Sequence, residues 1–124
     1  MWIFDVIAGN FVGHGTAKSG VYAGNGPGFN NPAMENVANV GPLPRARYTM
    51  KRIYDDPETG KNTIELIPDP ESIAKFPNRN MYSFRIHGIN PARPLGSSKG
   101  CICVSPGSFR VYVFNSGDHE LFVV

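Results

Sequence analysis

A mainly β fold is predicted by three features of this sequence. The 124 residues include 14 glycines and 11 prolines, which favour short strands and tight turns over long helices. Hydrophobic residues make up 41% of the chain and charged residues 18%, as in ordinary globular proteins. Short alternating apolar runs are separated by Gly and Asn turns. We therefore expect one compact domain over residues 1–124, an antiparallel β-sandwich or barrel with a few short helices.

The N-terminal part contains three candidate strands, MWIFDVIAG, NFVGHGTA and SGVYAG, separated by turns. Their alternation predicts an antiparallel meander. The glycine-rich stretch GNGPGFNN follows, and it lacks the Gly-Lys-Ser/Thr that a phosphate-binding loop would need. Asn31 and Pro32 then form the cap-plus-proline pattern of a short helix.

The central part predicts a hairpin and then a second short helix. GPLPRARYTMKRIYDD is typical of a turn and a long strand, and DPETGKNTIELIPD of a turn and a returning strand. Asp69 and Pro70 repeat the cap-plus-proline pattern before ESIAKF. Pro77 ends that helix after about two turns.

The C-terminal part begins with a predicted strand, MYSFRIHG, followed by a predicted loop over residues 89–99. The segment SPGSFRVYVFNSG favours a helix through Ser105, Pro106 and Gly117, whereas residues 111–114 favour a strand by propensity. We predict a helix there. HELFVV completes the domain as a last strand.

Charge and hydropathy exclude several classes of function. The net charge of +2 is too small to predict nucleic-acid binding. Basic and aromatic residues do cluster on one predicted strand: Arg45, Arg47, Tyr48, Lys51, Arg52 and Tyr54. The neighbouring acidic residues dilute that field. No apolar run reaches the ~20 residues of a membrane span, so we expect no membrane insertion, and the N-terminus lacks the layout of a secretory signal.

The residues with clear chemical potential are His87 and Cys101. A cysteine nucleophile reacts as a thiolate, which a neighbouring histidine can generate. Gly100 permits a tight turn, in which the N–H groups of Gly100 and Cys101 could face a developing oxyanion. Ser98 could hydrogen-bond within that turn or orient the imidazole.

Other interpretations of the same residues stay open. Cys101 could be a small buried residue, and Cys103 is expected mainly to pack in the core. We expect both thiols to be free, because Cα atoms two residues apart in a strand lie roughly 6.6 Å from each other. A zinc site with His87 and another histidine is a rival, although Cys-x-Cys is an unusual zinc spacing. A non-catalytic wall-binding domain is another.

A family resemblance supports the catalytic interpretation. HGINPARPLGSSKGCI resembles the His...Ser/Thr-x-Gly-Cys signature of L,D-transpeptidase catalytic domains, which remodel bacterial peptidoglycan through a cysteine acyl-enzyme. SGVYAGNGPGFNNPAMENVANVGPLPRARYTM is similar to the N-terminal half of the L,D-transpeptidase-like toxins of type VI secretion systems, notably in Asn-Asn-Pro-x-Met and Gly-Pro-Leu-Pro-Arg. With NSGDHELFVV, the resemblance covers nearly the whole chain.

The resemblance implies a role for each matching residue. It assigns the nucleophile to Cys101, the base to His87, and the rest of the signature to Ser98 and Gly100. Ordinary members commonly have a histidine and an arginine where this chain has Lys99 and Cys103, and that arginine would help to hold a substrate carboxylate. We expect Arg110 to replace it, because a guanidinium binds carboxylates bidentately.

The resemblance also implies the fold of an L,D-transpeptidase-type domain and a reaction. Cleavage of the L,D bond in peptidoglycan tetrapeptide stems would give L,D-carboxypeptidase activity, or exchange with free D-amino acids. The scheme needs no metal and no cofactor. A toxin of this kind is secreted, acts in the periplasm of the target cell, and is blocked by a cognate immunity protein.

Overall fold

The computed structural model describes residues 1–90, 92 and 98–124, so that part of the predicted loop over residues 89–99 lies outside the described residues. The described strands are β1 (Trp2–Asp5), β2 (Asn10–Gly13), β3 (Thr16–Lys18), β4 (Arg47–Asp56), β5 (Gly60–Pro68), β6 (Arg85–His87), β7 (Ile102–Cys103) and β8 (Glu120–Val123). They form one mixed sheet in the order β3-β2-β1-β8-β4-β5-β6-β7. The prediction of a mainly β domain with a few short helices is confirmed.

Most neighbouring strands are antiparallel, as expected, including the meander of β1, β2 and β3 and the long hairpin of β4 and β5. Two pairs are parallel instead: β1 with β8, and β6 with β7. Parallel neighbours require a crossover connection, and such long-range pairing leaves no local turn signal in the sequence. The structure therefore differs from a purely antiparallel arrangement at these two pairs.

The third strand of the meander is Thr16–Lys18, which is the end of NFVGHGTA and its continuation. The expected strand in SGVYAG is reduced to one antiparallel bridge between Tyr22 and Cys103. Their backbones exchange two hydrogen bonds, Tyr22 N–H to Cys103 O at 3.2 Å and Cys103 N–H to Tyr22 O at 2.7 Å. This bridge covers the outer edge of β7.

The hydrophobic core is built from alternating strand positions, since successive side chains point to opposite faces of a sheet. Its largest fully buried members include Trp2, Phe4, Phe11, Tyr48, Met50, Ile64, Leu66, Ile86, Ile102 and Leu121. Residues 86 and 102 belong to β6 and β7, so both strands have one face in the core. Their other face carries the residues of the candidate site.

The short helices follow their sequence signals. Helix α1 (Pro70–Lys75) has the predicted cap, in which Asp69 accepts a hydrogen bond from the Glu71 N–H. Helix α2 (Gly107–Asn115) confirms the helical prediction for that segment. Asn31 caps only a 3-10 turn, Pro32–Met34. In the part of the chain that the structure describes, no helix has both the length and the apolar character needed to cross a membrane.

Candidate functional site

A groove of about 560 Å³ is lined by residues around the ends of β6 and β7. The described residues that line it include His87, Ser98, Cys101, Cys103, Arg85 and Lys99. A second depression, of about 750 Å³, has neither cysteine nor histidine among its described lining residues. The residues singled out for nucleophilic chemistry are therefore concentrated in the first groove.

The register of β6 and β7 determines which side chains are neighbours. Ile86 pairs with Ile102, and His87 pairs with Cys103. Because the isoleucines are buried in the core, the residues next to them in the strands face the groove. His87 thus lies opposite Cys103. Cys101, two residues before Cys103, lies diagonally across from His87.

His87 is half-buried, and one of its hydrogen bonds bears on which ring nitrogen carries the hydrogen. The distance from its Nδ1 to the Gly88 carbonyl oxygen is 2.9 Å. A carbonyl oxygen can only accept, so the neutral imidazole carries its hydrogen on Nδ1 and keeps its lone pair on Nε2. No pattern in the sequence indicates the group that orients this ring.

Cys103 is buried and 2% exposed, as expected, but it lies on the groove face of β7 and outside the main hydrophobic cluster. Its Sγ lies 3.9 Å from both ring nitrogens of His87. A sulfur at equal distances from both nitrogens is not aligned with the lone pair of either. Burial raises the pKa of the Cys103 thiol to about 12. Cys103 is thus a protonated neighbour of the imidazole.

Cys101 is half-buried, and both thiols are free, as expected. Its Sγ–H points to the Ser83 carbonyl oxygen at 3.9 Å. Burial raises the pKa of this thiol, and the backbone N–H and positive charge of Arg85, with the charge of Arg79, partly offset that increase. The resting group is a thiol, and a base has to remove its proton before it can react.

Ser98 braces the turn that carries Cys101. Its hydroxyl donates to the Cys101 carbonyl oxygen at 2.7 Å and accepts from the Gly100 N–H at 3.0 Å. Of the two roles predicted for Ser98, hydrogen bonding within the turn and orientation of the imidazole, these contacts support the first. The Gly100 N–H is engaged by this hydroxyl, which disfavours it as an oxyanion donor, and that role stays a prediction. Gly100 itself has φ +132°, a conformation that favours glycine.

Three groups from distant parts of the chain bind the other carbonyl oxygens of this turn: the Asn25 amide at Ser98 O (2.7 Å), the Arg79 guanidinium at Lys99 O (3.1 Å) and the Leu43 N–H at Gly100 O (2.9 Å). Four successive carbonyl groups, residues 98–101, are thus held in place. The nucleophile candidate lies on a fixed backbone.

Arg79 is a supporting residue that sequence reasoning missed. Its buried guanidinium also donates to the carbonyl oxygens of Glu35, Val37, Gly41 and Pro42. It therefore ties the segment 35–42, which ends in the Gly-Pro of the Gly-Pro-Leu-Pro-Arg motif, to the turn at Lys99. In the sequence, the Gly-Pro-Leu-Pro-Arg motif was the only signal that this segment matters to the site. The motif did not indicate that the segment surrounds Arg79.

Comparison with known proteins places the chain in a family. A profile described as "Tlde1 domain" matches residues 17–121. The chain belongs to the Tlde1 domain family. This domain is associated with effectors of the type VI secretion system. No curated protein matches the chain.

One solved structure has the same fold as this Tlde1 domain, "Structure of Bdellovibrio bacteriovorus Bd1075". It aligns with a TM-score of 0.61 over 100% of this chain and 46% of that chain, at 13% sequence identity. The chain thus spans about half the length of that structure. At this identity the likeness concerns the fold alone.

Arg110 of this Tlde1 domain lies on α2, 6% exposed and outside the described lining of the groove. Its guanidinium donates to three backbone carbonyl oxygens: Asn62 at 2.8 Å, Val104 at 2.6 Å and Lys61 at 3.1 Å. These bonds tie α2 to β5 and to the end of β7. The role in binding a substrate carboxylate stays a prediction, and this placement favours a structural role.

The zinc alternative finds little support in this Tlde1 domain. Among residues 1–90, 92 and 98–124, no group of three or more His, Cys, Asp or Glu side chains is arranged to hold a metal ion. His87 and the two cysteines share a groove without converging on one point. The geometry suits acid–base and nucleophilic chemistry better.

Proposed function

We propose that this Tlde1 domain is a cysteine enzyme that cleaves the L,D bond of peptidoglycan tetrapeptide stems through a Cys101 acyl-enzyme. One observation carries the proposal: Cys101 and His87 face the same groove from neighbouring strands, and the turn bearing Cys101 is held at every carbonyl. Membership of the Tlde1 family supports an antibacterial type VI context.

The first step is proton transfer followed by attack. His87 takes the Cys101 proton on Nε2, and the S–H electron pair stays on sulfur. The thiolate then attacks the carbonyl carbon after the third residue of the stem. Catalytic hydrogen bonds are often loose before substrate binds, so the diagonal placement of the two side chains is compatible with this transfer.

The Cys101 N–H is the group best placed to receive the oxyanion. In a trans peptide, the C=O of one residue and the N–H of the next point in opposite directions. The Gly100 carbonyl is bonded to the N–H of the buried Leu43, so the Cys101 N–H points away from that part of the core. A backbone donor at this position is worth roughly 10²–10³ in rate.

Collapse of the tetrahedral intermediate breaks the C–N bond, and the imidazolium of His87 gives its proton to the leaving amine of D-alanine. The thioester left on Cys101 then has two fates. Water yields a tripeptide and restores the thiol, which is L,D-carboxypeptidase activity. A free D-amino acid forms a new amide, which is exchange.

The site of action follows from this chemistry and the family. Peptidoglycan stems are found in the periplasm, so the domain would act in the periplasm of a target cell after secretion from the producing bacterium. A cognate immunity protein would protect the producer. The catalytic scheme uses no metal and no organic cofactor.

The decisive experiment incubates the protein with disaccharide tetrapeptides, with and without D-methionine, and identifies products by mass spectrometry. Cys101→Ala is the test variant, and Cys103→Ala is its matched control. We expect tripeptide or D-methionine-containing product from the wild type and Cys103→Ala, and none from Cys101→Ala. Unchanged substrate with every protein would overturn the proposal and favour a non-catalytic wall-binding role.

A further inference from the structure

Arg85 occupies a position that the nucleophilic scheme leaves unexplained. The register of β6 and β7 pairs Ile86 with Ile102, so one step back along both strands Arg85 is opposite Cys101. Both residues line the groove. Arg85 therefore has the same relation to Cys101 that His87 has to Cys103. The residue opposite the candidate nucleophile in the register is a cation rather than a base.

The guanidinium of Arg85 is fixed rather than mobile. Its Nε donates to the Tyr54 hydroxyl at 3.0 Å, and its Nη1 donates to the carbonyl oxygens of Tyr82 at 3.0 Å and Phe84 at 2.9 Å. The Tyr54 hydroxyl in turn donates to Asp56 at 2.7 Å. A planar guanidinium held at two of its nitrogens loses little further entropy when it meets an anion.

The other charged or titratable groups around Cys101 and Arg85 come from several elements: Arg79 before β6, His87 on β6, Cys103 on β7, Asp56 and Glu58 at the end of β4, Glu65 on β5, and Lys99 in the turn. Arg79 is committed to backbone carbonyls. Lys99 is exposed, and a flexible ammonium in water is a weak partner. Arg85 is half-buried and rigid, and Glu65, whose carboxylate lies 4.0 Å from Arg85 Nη2, is bonded more closely to Arg52 at 2.6 Å.

We propose that the guanidinium of Arg85 stabilises the thiolate of Cys101, and that Tyr54 and Asp56 hold it in position for that purpose. The electron pair left on sulfur when the proton moves to Nε2 of His87 lies beside a fixed positive charge. Arg85 is the electrostatic residue of the nucleophile, and Tyr54 is a positioning residue. The proposal rests on the proposed function only in assigning Cys101 as the nucleophile.

The test is the pH dependence of Cys101 alkylation by iodoacetamide, with the label located by peptide mass spectrometry. A neighbouring opposite charge favours the ionised form of a thiol. We expect Arg85→Gln to slow labelling at neutral pH by about fivefold and to move the profile to higher pH. Lys99→Gln, the matched control in the same groove, should leave the profile unchanged. Thermal unfolding checks that each variant is folded.

Two further variants separate charge from packing. Tyr54→Phe keeps the guanidinium but releases Nε, so a smaller shift in the same direction is expected. Arg85→Lys should restore part of the labelling rate. Wild-type profiles for both Arg85→Gln and Tyr54→Phe, or equal shifts in Arg85→Gln and Lys99→Gln, would overturn the proposal. A labelling shift in a protein that does not cleave tetrapeptides would support the role of Arg85 while the proposed function fails.

Discussion

Cys101 and Cys103 are two residues apart and line the same groove, yet their surroundings differ. Cys103 lies directly opposite His87, is 2% exposed and forms backbone bonds with Tyr22. Cys101 is half-buried on a turn held by four carbonyl contacts and lies opposite Arg85. The cysteine adjacent to the histidine in register is the buried one. Access and charge, rather than the shortest distance to a base, distinguish the candidate nucleophile.

The largest effect should come from removing each thiol in turn. We expect Cys101→Ala to reduce tetrapeptide cleavage by at least about 10³-fold, since the remaining thiol, Cys103, is buried and protonated. Cys103→Ala should retain activity within about tenfold, because its sulfur makes long contacts, of 3.8–3.9 Å, with the Cys101 carbonyl oxygen and the His87 ring. Product formation measured by mass spectrometry distinguishes them. The reverse ranking would assign the nucleophile to Cys103.

The second effect concerns titration of the two thiols. Alkylation requires the thiolate, so labelling of each cysteine should rise with pH. A pKa of about 12 leaves roughly a thousandth of Cys103 ionised at pH 9, and burial also blocks access. We expect Cys101 to be labelled first throughout the range from pH 7 to 10. Unfolding in denaturant should make the labelling rates of the two cysteines similar. Equal labelling rates in the folded protein would contradict the predicted difference between Cys101 and Cys103.

The third effect tests the turn beneath Cys101. A Cβ on Gly100 would meet the Arg79 guanidinium and lie 2.7 Å from a ring carbon of Phe84, at φ +132°. We expect Gly100→Ala to lower the free energy of unfolding by about 2–4 kcal/mol and to abolish activity. Denaturant titration measures the first and tetrapeptide cleavage the second.

Gly60→Ala is the matched control for that substitution. Gly60 has φ +96° with no atom within 4 Å of an added Cβ, so the control isolates backbone strain. Its cost should be near 1 kcal/mol. Equal losses in the two variants would mean that the packing around the Cys101 turn contributes little.

The smallest effect should come from the Ser98 hydroxyl. Ser98→Ala leaves the Gly100 N–H and the Cys101 carbonyl without that partner, at a cost of about 1–2 kcal/mol. We expect reduced activity, because the turn that carries Cys101 loosens without this hydroxyl. Ser83→Ala removes an exposed hydroxyl from the same groove and serves as the comparison. Stability is measured by thermal unfolding, and equal behaviour of the two variants would count against the bracing role.

Local signals in the sequence predicted much of this fold. The caps at Asn31 and Asp69 are present, and the hairpin of β4 and β5 and helix α2 form where expected. Each of these depends on neighbouring residues. The parallel pairing of β6 with β7 depends on a long-range register, which a single sequence does not encode as a local pattern.

The candidate site was predictable in its residue types and not in its neighbours. The His, Ser, Gly and Cys signature identified residues that the structure gathers around one groove. The cross-strand pairs, the engagement of the Gly100 N–H and the central position of Arg79 depend on contacts between distant segments. The chemistry of Arg110 predicts carboxylate binding, whereas its guanidinium donates to backbone carbonyl oxygens in the structure. Charge type alone does not reveal what an arginine contacts.

The buried guanidinium of Arg79 makes the nucleophile dependent on a distant segment. A fragment starting after residue 42 would retain His87 and Cys101, yet Arg79 would lose its acceptors at Glu35, Val37, Gly41 and Pro42. An uncompensated buried cation would then lie beside the turn at Lys99. Two halves of the chain divided near residue 42 should accordingly be inert alone and regain the site only on reassociation, which makes this junction a natural place for a split-protein reporter.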